Sequence, residues 1–284
     1  MKSVKKIKHS VKHSKPVVKA VVAFLILLVL AYFLPIYNLA DNIVAVLGSA
    51  AIFYSILLGF YISSSMANLI RLKTLTASET GALIAIYKMI EIVAPDKKES
   101  TKEKIDLYIV KRFQYEVDNY VEPTTKEFYE IFNEFKGITP KSEGELALLN
   151  SVSQSMYYIA QVRREITIAG AKIMNLASWL LLTILSVIIV VSLLFSRDGS
   201  ITGVLIVSII STAAVLSLFI LYDVDGNMFG EEVYAIDNYQ DVFSAMGLLH
   251  YYPEHILLGG RYHPPVSEYR TGEPGNLHIT KRKA

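Results

Sequence analysis

The chain has no cysteine among its 284 residues. Disulfides, thiolate catalysis and cysteine-based metal sites are excluded together. The more telling lack is of charge. No acidic or basic residue occurs from Asn42 to Ile70, from Met174 to Ser196, or from Gly199 to Tyr222. With Val17–Tyr37, which holds only Lys19 near its start, these stretches supply four apolar runs: Val17–Tyr37, Ile43–Ile62, Met174–Phe195 and Ile201–Tyr222. Each is about 20 residues long, enough for an α-helix to cross a hydrocarbon core of about 30 Å. The expected class is therefore all-α: a four-helix transmembrane protein built as two hairpins.

Other absences narrow the function. The span interiors carry no Asp, Glu, Arg or His. Proton relays and ion-coupled transporters usually keep such groups at membrane depth despite their cost. A pore lined by apolar rings is not excluded, because a hydrophobic constriction can gate by dewetting. No phosphate loop, nucleophile elbow or zinc-protease motif is present. An enzyme is not expected, nor is a nucleic-acid partner; the expected partners are the lipid bilayer, inorganic ions and further copies of the chain.

The charges crowd into three aqueous segments, and some of them flank the spans. Lys2, Lys5, Lys6, Lys8, Lys12, Lys15 and Lys19 precede or open the first run with no acid among them. Such a flank stays on the cytoplasmic side and can touch anionic lipid head groups. Arg71 and Lys73 follow the second run, and Arg163, Arg164 and Lys172 precede the third. The consistent topology places both termini in the cytoplasm of a plasma-membrane protein. A cleaved signal peptide is the rival reading of the first run, but the run is long and no A-x-A site follows it.

The expected organisation is a basic arm (1–16), a first hairpin (17–65), a cytoplasmic helical domain (66–172), a second hairpin (173–222), and an acidic segment with tail (223–284). Three capping boxes are read in the helical domain: Ser100 with Glu103, Thr124 with Glu127, and Ser142 with Glu145. The first should open a helix to about Val121. Helices leaving the second span and entering the third could run on continuously. Beyond Pro253 the composition predicts an extended arm without periodicity.

The second span carries two stripes. Ile52, Ile56 and Phe60 lie four apart, as do Ser55, Gly59 and Ser63. On a helix of about 3.6 residues per turn the two are offset by about 60°. Small residues four apart let helices approach closely in lipid. In a ring of copies the small stripe could meet a neighbour while the bulky stripe faces the axis. In a single subunit the bulky stripe would face lipid and the small one would pack internally. The spacing alone leaves both arrangements open.

Further residues carry a resemblance. Tyr54-Ser55-Ile56-Leu57-Leu58-Gly59-Phe60-Tyr61-Ile62, with its Gly-Phe-Tyr, resembles the second membrane helix of bestrophin ion channels. Asn227-Met228-Phe229-Gly230-Glu231-Glu232 resembles the bestrophin Asn-Pro-Phe-Gly segment and its acidic cluster. About Leu39–Met246 resembles a prokaryotic bestrophin-like group of unknown function, which also shows the Glu-containing segment Ser78–Leu83 and the pair Arg163-Arg164. The resemblance implies a homopentamer with cytosolic termini and a pore on the five-fold axis. It implies a neck at Ile52, Ile56 and Phe60. It also makes Asp223, Asp225, Glu231 and Glu232 a candidate cation clasp, with Ca²⁺ as the cation. The match departs there: Met228 replaces the Pro, and Val233-Tyr234-Ala235-Ile236 replaces a denser acidic run. Ca²⁺ needs about six to eight oxygens, and a solvated acidic stretch is the simpler role. No other cofactor is expected. The alternative to a channel is a non-conducting, membrane-anchored scaffold or sensor.

The remaining candidates read as structural. His9 and His13 have a metal-pair spacing but lie in the lysine-rich arm, and His250, His255 and His263 could ligate only in a folded tail. Glu79, with Lys73 and Lys88 nearby in sequence, reads as an ion-pair partner. Tyr37, Trp179 and Tyr222 sit at span ends, as in an aromatic belt.

Overall fold

The computed structural model describes residues 16–36, 41–226, 228–229, 232–233, 236–258 and 262–281. Helix α1 spans Pro16–Phe33, with proline at its first position, where the missing N–H costs nothing. Helix α2 runs unbroken for 53 residues, Asp41–Val93, and stops before Pro95. A 3₁₀ turn, Pro95–Lys97, leads into α3, Lys98–Arg112. Helices α4 (Thr125–Asn133) and α5 (Glu143–Gly170) follow. Then come α6 (Leu176–Phe195) and α7 (Ile201–Asp225). Short strands β1 (Met228–Phe229) and β2 (Glu232–Val233) precede α8, Ile236–Ala245, and α9, Glu254–Leu258. Strands β3 (Glu268–Glu273) and β4 (Asn276–Lys281) pair antiparallel.

The chain divides into two compact units. One takes residues 13–67 and 172–230. Here α1 packs along α7, and α6 also packs on α7. Helices α6 and α7, with the apolar part of α2, are long and apolar enough to cross a membrane; α1 is a shorter apolar helix. Each later span starts on a side-chain cap: Asn175 Oδ1 accepts Ser178 N–H at 2.8 Å, and Ser200 Oγ accepts Gly203 N–H at 2.9 Å. At the α6–α7 turn, the buried Arg197 guanidinium donates to the carbonyls of Leu34 and Leu194, which end α1 and α6. Carbonyls the helices cannot satisfy are thereby paired, as a bilayer demands.

The second unit takes residues 68–171 and 231–284. Its main core joins Leu83, Ile86 and Ile90 of α2 to Ile105, Tyr108 and Ile109 of α3, Met156 and Ile159 of α5, and Tyr239 and Phe243 of α8.

Several expectations need correction here. Pro95 starts its turn early, so α3 begins at Lys98 and Ser100 lies inside its first turn rather than at its cap. The helix ends at Arg112, not near Val121, although Phe113 and Tyr120 stay buried in the turns that follow. Thr124 does not cap α4: its hydroxyl donates to Tyr120 O at 2.8 Å and accepts from Arg163 at 2.8 Å. Only Ser142 caps as read, accepting Glu145 N–H at 3.2 Å. The helix into span three is interrupted at 171–175.

The tail is not an extended arm. Arg270 on β3 makes a bidentate pair with Asp106 on α3, both contacts 2.8 Å, and donates to Leu249 O at 2.9 Å. Gln240 and Tyr251 exchange two hydrogen bonds, and Tyr251, Tyr252 and Tyr269 enter the main core. Aromatic burial and a bidentate arginine supply what periodicity could not reveal.

Gly170 ends α5 against Val117, where an added Cβ would lie 2.5 Å from Val117 Cγ1. Gly170→Ala should destabilise the protein by about 1–3 kcal/mol, the usual range for overpacking. Thermal unfolding in detergent should show this, and Val117→Ala should restore part of the loss.

Candidate functional site

Helix α2 has two unlike faces within the membrane unit. Tyr54, Leu58 and Ser65 are buried, and Tyr54 and Leu58 join Met174, Leu182 and Leu221 in one apolar cluster. Tyr54 OH donates to Ala214 O at 3.1 Å, and Tyr61 shares a 3.0 Å hydrogen bond with Ser178. Ile52, Ile56 and Phe60 point the other way and are 65%, 64% and 63% exposed. Ser55, Gly59 and Ser63 are exposed beside them. Among the described residues, no heavy atom beyond the local helix backbone lies within 4 Å of where a Gly59 Cβ would stand. The small stripe is therefore not consumed by packing inside one chain; Ser55 Oγ satisfies itself on Ala51 O at 2.8 Å.

The candidate cation clasp is only partly visible. Asp223 is half-buried at the end of α7. Asp225 is 5% exposed, and its Oδ1 accepts the backbone N–H of Ile173 at 2.9 Å and of Met174 at 3.1 Å. Glu231 and the side chain of Glu232 lie outside the described residues, as do His9, His13 and Tyr37. Among the described residues, no group of three or more His, Asp or Glu is placed to hold a metal. His250 instead hydrogen-bonds Ser244 Oγ at 2.8 Å and Tyr252 OH at 3.3 Å, and His263 is exposed. The Trp179 and Tyr222 rings meet edge-on at 6.0 Å.

A model of the bestrophin-like domain matches residues 17–227, most of the chain. The protein belongs to the bestrophin-like family. Solved structures agree on the fold. Two are bacterial bestrophin homologues from Klebsiella pneumoniae, each 14% identical over 82% of this chain. They are covered over 96% and 100% of their own lengths, with TM-scores of 0.57 and 0.59. A third, described as a membrane protein, is 14% identical over 83% of this chain and 100% of its own, with a TM-score of 0.60. No curated protein sequence matches the chain. The bestrophin-like match makes this an integral membrane protein of a channel-like fold, and its end at residue 227 leaves the docked tail beyond it.

In this bestrophin-like protein Glu79, from the segment Ser78–Leu83, and Arg163, from the pair Arg163-Arg164, lie at the centre of the second unit, while Arg164 is exposed. Glu79 is wholly buried. Its carboxylate accepts hydrogen bonds from Tyr108 OH and, at 2.6 Å, from Tyr239 OH, with Arg112 Nε 3.7 Å away. The ion-pair role expected for Glu79 is thus filled by Arg112 rather than by Lys73 or Lys88. The Arg112 guanidinium lies over the rings of Tyr120 at 4.3 Å and Tyr239 at 4.5 Å. Arg163 lies over Phe128 at 4.3 Å and donates to Val121 O at 3.0 Å. Aromatic faces and hydrogen bonds offset the cost of burying these charges. Sequence reading missed Tyr108, Arg112 and Tyr239. The signal was the register: Glu79 falls on the stripe Leu72, Thr76, Glu79, Leu83, Ile86, Ile90, all fully buried.

Glu79→Ala would leave Arg112 buried without its carboxylate and should cost about 3–5 kcal/mol. Glu79→Gln should cost less, and Glu91→Ala, at a half-exposed Lys98 pair, little. Chemical or thermal unfolding ranks the three.

Burial holds the Tyr108 phenol well above its usual range, with the Glu79 carboxylate adding to the shift, and burial also raises Tyr251. Both groups stay protonated when folded, whereas unfolded tyrosine ionises near pH 10, its value of about 10. Their contribution is fully present below that pH and is lost as pH rises through the folded values. Stability measured across alkaline pH should therefore fall from about pH 10 upward, and less steeply in Tyr108→Phe.

Proposed function

We propose that the protein is an oligomeric ion channel, with copies of α2 arranged around a common axis and Ile52, Ile56 and Phe60 forming its neck. The observation carrying this reading is the unused face of α2: three bulky apolar side chains and three small ones, exposed together opposite a face already packed. The small stripe of Ser55, Gly59 and Ser63 would admit a neighbouring helix at close range. The bulky stripe would then form stacked apolar rings, a constriction that gates by dewetting. The resemblance to bestrophins supports five copies, and the lysine-rich arm supports cytoplasmic termini. On this reading the second unit is cytoplasmic and carries regulation. The bilayer and permeant inorganic ions are the partners.

Current across a planar bilayer holding the purified protein under a KCl gradient tests the reading. Discrete currents are expected, and the sign of the reversal potential gives anion or cation preference. Ile56→Ala and Phe60→Ala should each alter conductance or gating while leaving assembly intact. Unchanged currents in both variants would move the constriction elsewhere. Silence from protein shown to be inserted and oligomeric would favour a non-conducting scaffold.

A further inference from the structure

We propose that Asp225 is a positioning residue that sets the neck helix from behind. Asp225 occupies the last turn of α7 and is 5% exposed. Its Oδ1 gathers two consecutive backbone N–H groups, Ile173 at 2.9 Å and Met174 at 3.1 Å. Those donors lie just before the Asn175 cap of α6, in the interruption between α5 and α6, where no helix can pair them. Hydrogen bonds to an ionised acceptor are roughly twice as strong as neutral ones. One side chain from α7 therefore fixes where the chain enters α6.

What it fixes bears on α2. Met174 is 6% exposed and belongs to the cluster of Tyr54, Leu58, Leu182 and Leu221. Tyr54 and Leu58 occupy the face of α2 opposite Ile52, Ile56 and Phe60. A shift of Asp225 thus reaches the back of the neck helix through Met174, beside the direct contacts that α7 makes with α2 at Leu221 and Ala214 O. The acidic stretch with Asp223, Glu231 and Glu232 adjoins Asp225 in sequence. The consequence for conduction rests on the neck reading above; the contact itself is testable without it.

The chain has no cysteine, so a single introduced thiol reports without background. Ser63→Cys lies on the face of α2 that is exposed within one chain, and Ser192→Cys, half-buried, serves as a control on α6. The rate of maleimide labelling of the full-length protein in lipid nanodiscs is compared with and without Asp225→Ala, and again in a Met174→Ala background. Asp225→Ala should change labelling at Ser63→Cys several-fold and leave Ser192→Cys as it was. Asp225→Asn, whose amide oxygen still accepts N–H bonds, should stay near the parent. In the Met174→Ala background most of the Asp225→Ala effect should vanish. No change at Ser63→Cys, an equal change at both sites, or a full effect without Met174 would each overturn the proposal. If Asp225→Ala does not insert, Asp225→Glu takes its place, with the same outcomes deciding. Bilayer currents that are absent in every variant would remove the neck reading, while the labelling rates would still decide the contact.

Discussion

The buried Glu79 carboxylate is the constraint around which the unit of residues 68–171 and 231–284 is organised. A carboxylate taken fully out of water is tolerated only where donors and an opposite charge surround it. Here the donors come from Tyr108 on α3 and Tyr239 on α8, and the charge from Arg112. Helices α2, α3 and α8 must be in register with one another for the full set of these contacts to exist. Arg163 adds α5 by the same logic, stacking on Phe128 and hydrogen-bonding to Thr124. Apolar packing supplies most of the driving force, and the polar centre adds contacts that are satisfied in this register.

The membrane unit solves a different problem. In hydrocarbon, apolar contact gives little reason for helices to meet, and unpaired backbone groups are expensive. The fold answers with polar side chains at helix ends: Asn175, Ser200, Arg197 and Asp225 each pair backbone groups that the helices leave over. Helix α2 is held through Tyr54 and Tyr61, and its opposite face is exposed among the described residues. That asymmetry is what an assembling, pore-lining helix requires.

Much of this was legible in the residues. The charge-free runs predict the spans, and the four-residue spacing predicts both stripes of α2, because helical period and hydropathy are local properties. The family was legible from Gly59-Phe60-Tyr61 and Asn227–Glu232. What escaped were contacts made over long sequence separation. Thr124 looked like a cap, yet its hydroxyl is engaged by Arg163, 39 residues away in sequence. Glu79 looked like a surface partner of nearby lysines, although its place on a buried stripe marked it as internal. Asp225 was grouped with the acidic stretch because sequence shows charge and not what the charge faces. The tail read as an arm because a short hairpin pinned by Arg270 and Asp106 leaves no periodic trace.

The central claim is that several copies of α2 meet around an axis, which one chain cannot supply. The most direct test is native mass spectrometry of the purified protein released from mild detergent, read as the number of copies per particle. The account predicts a closed ring of several copies, five by the bestrophin resemblance. A particle holding one or two copies would contradict it.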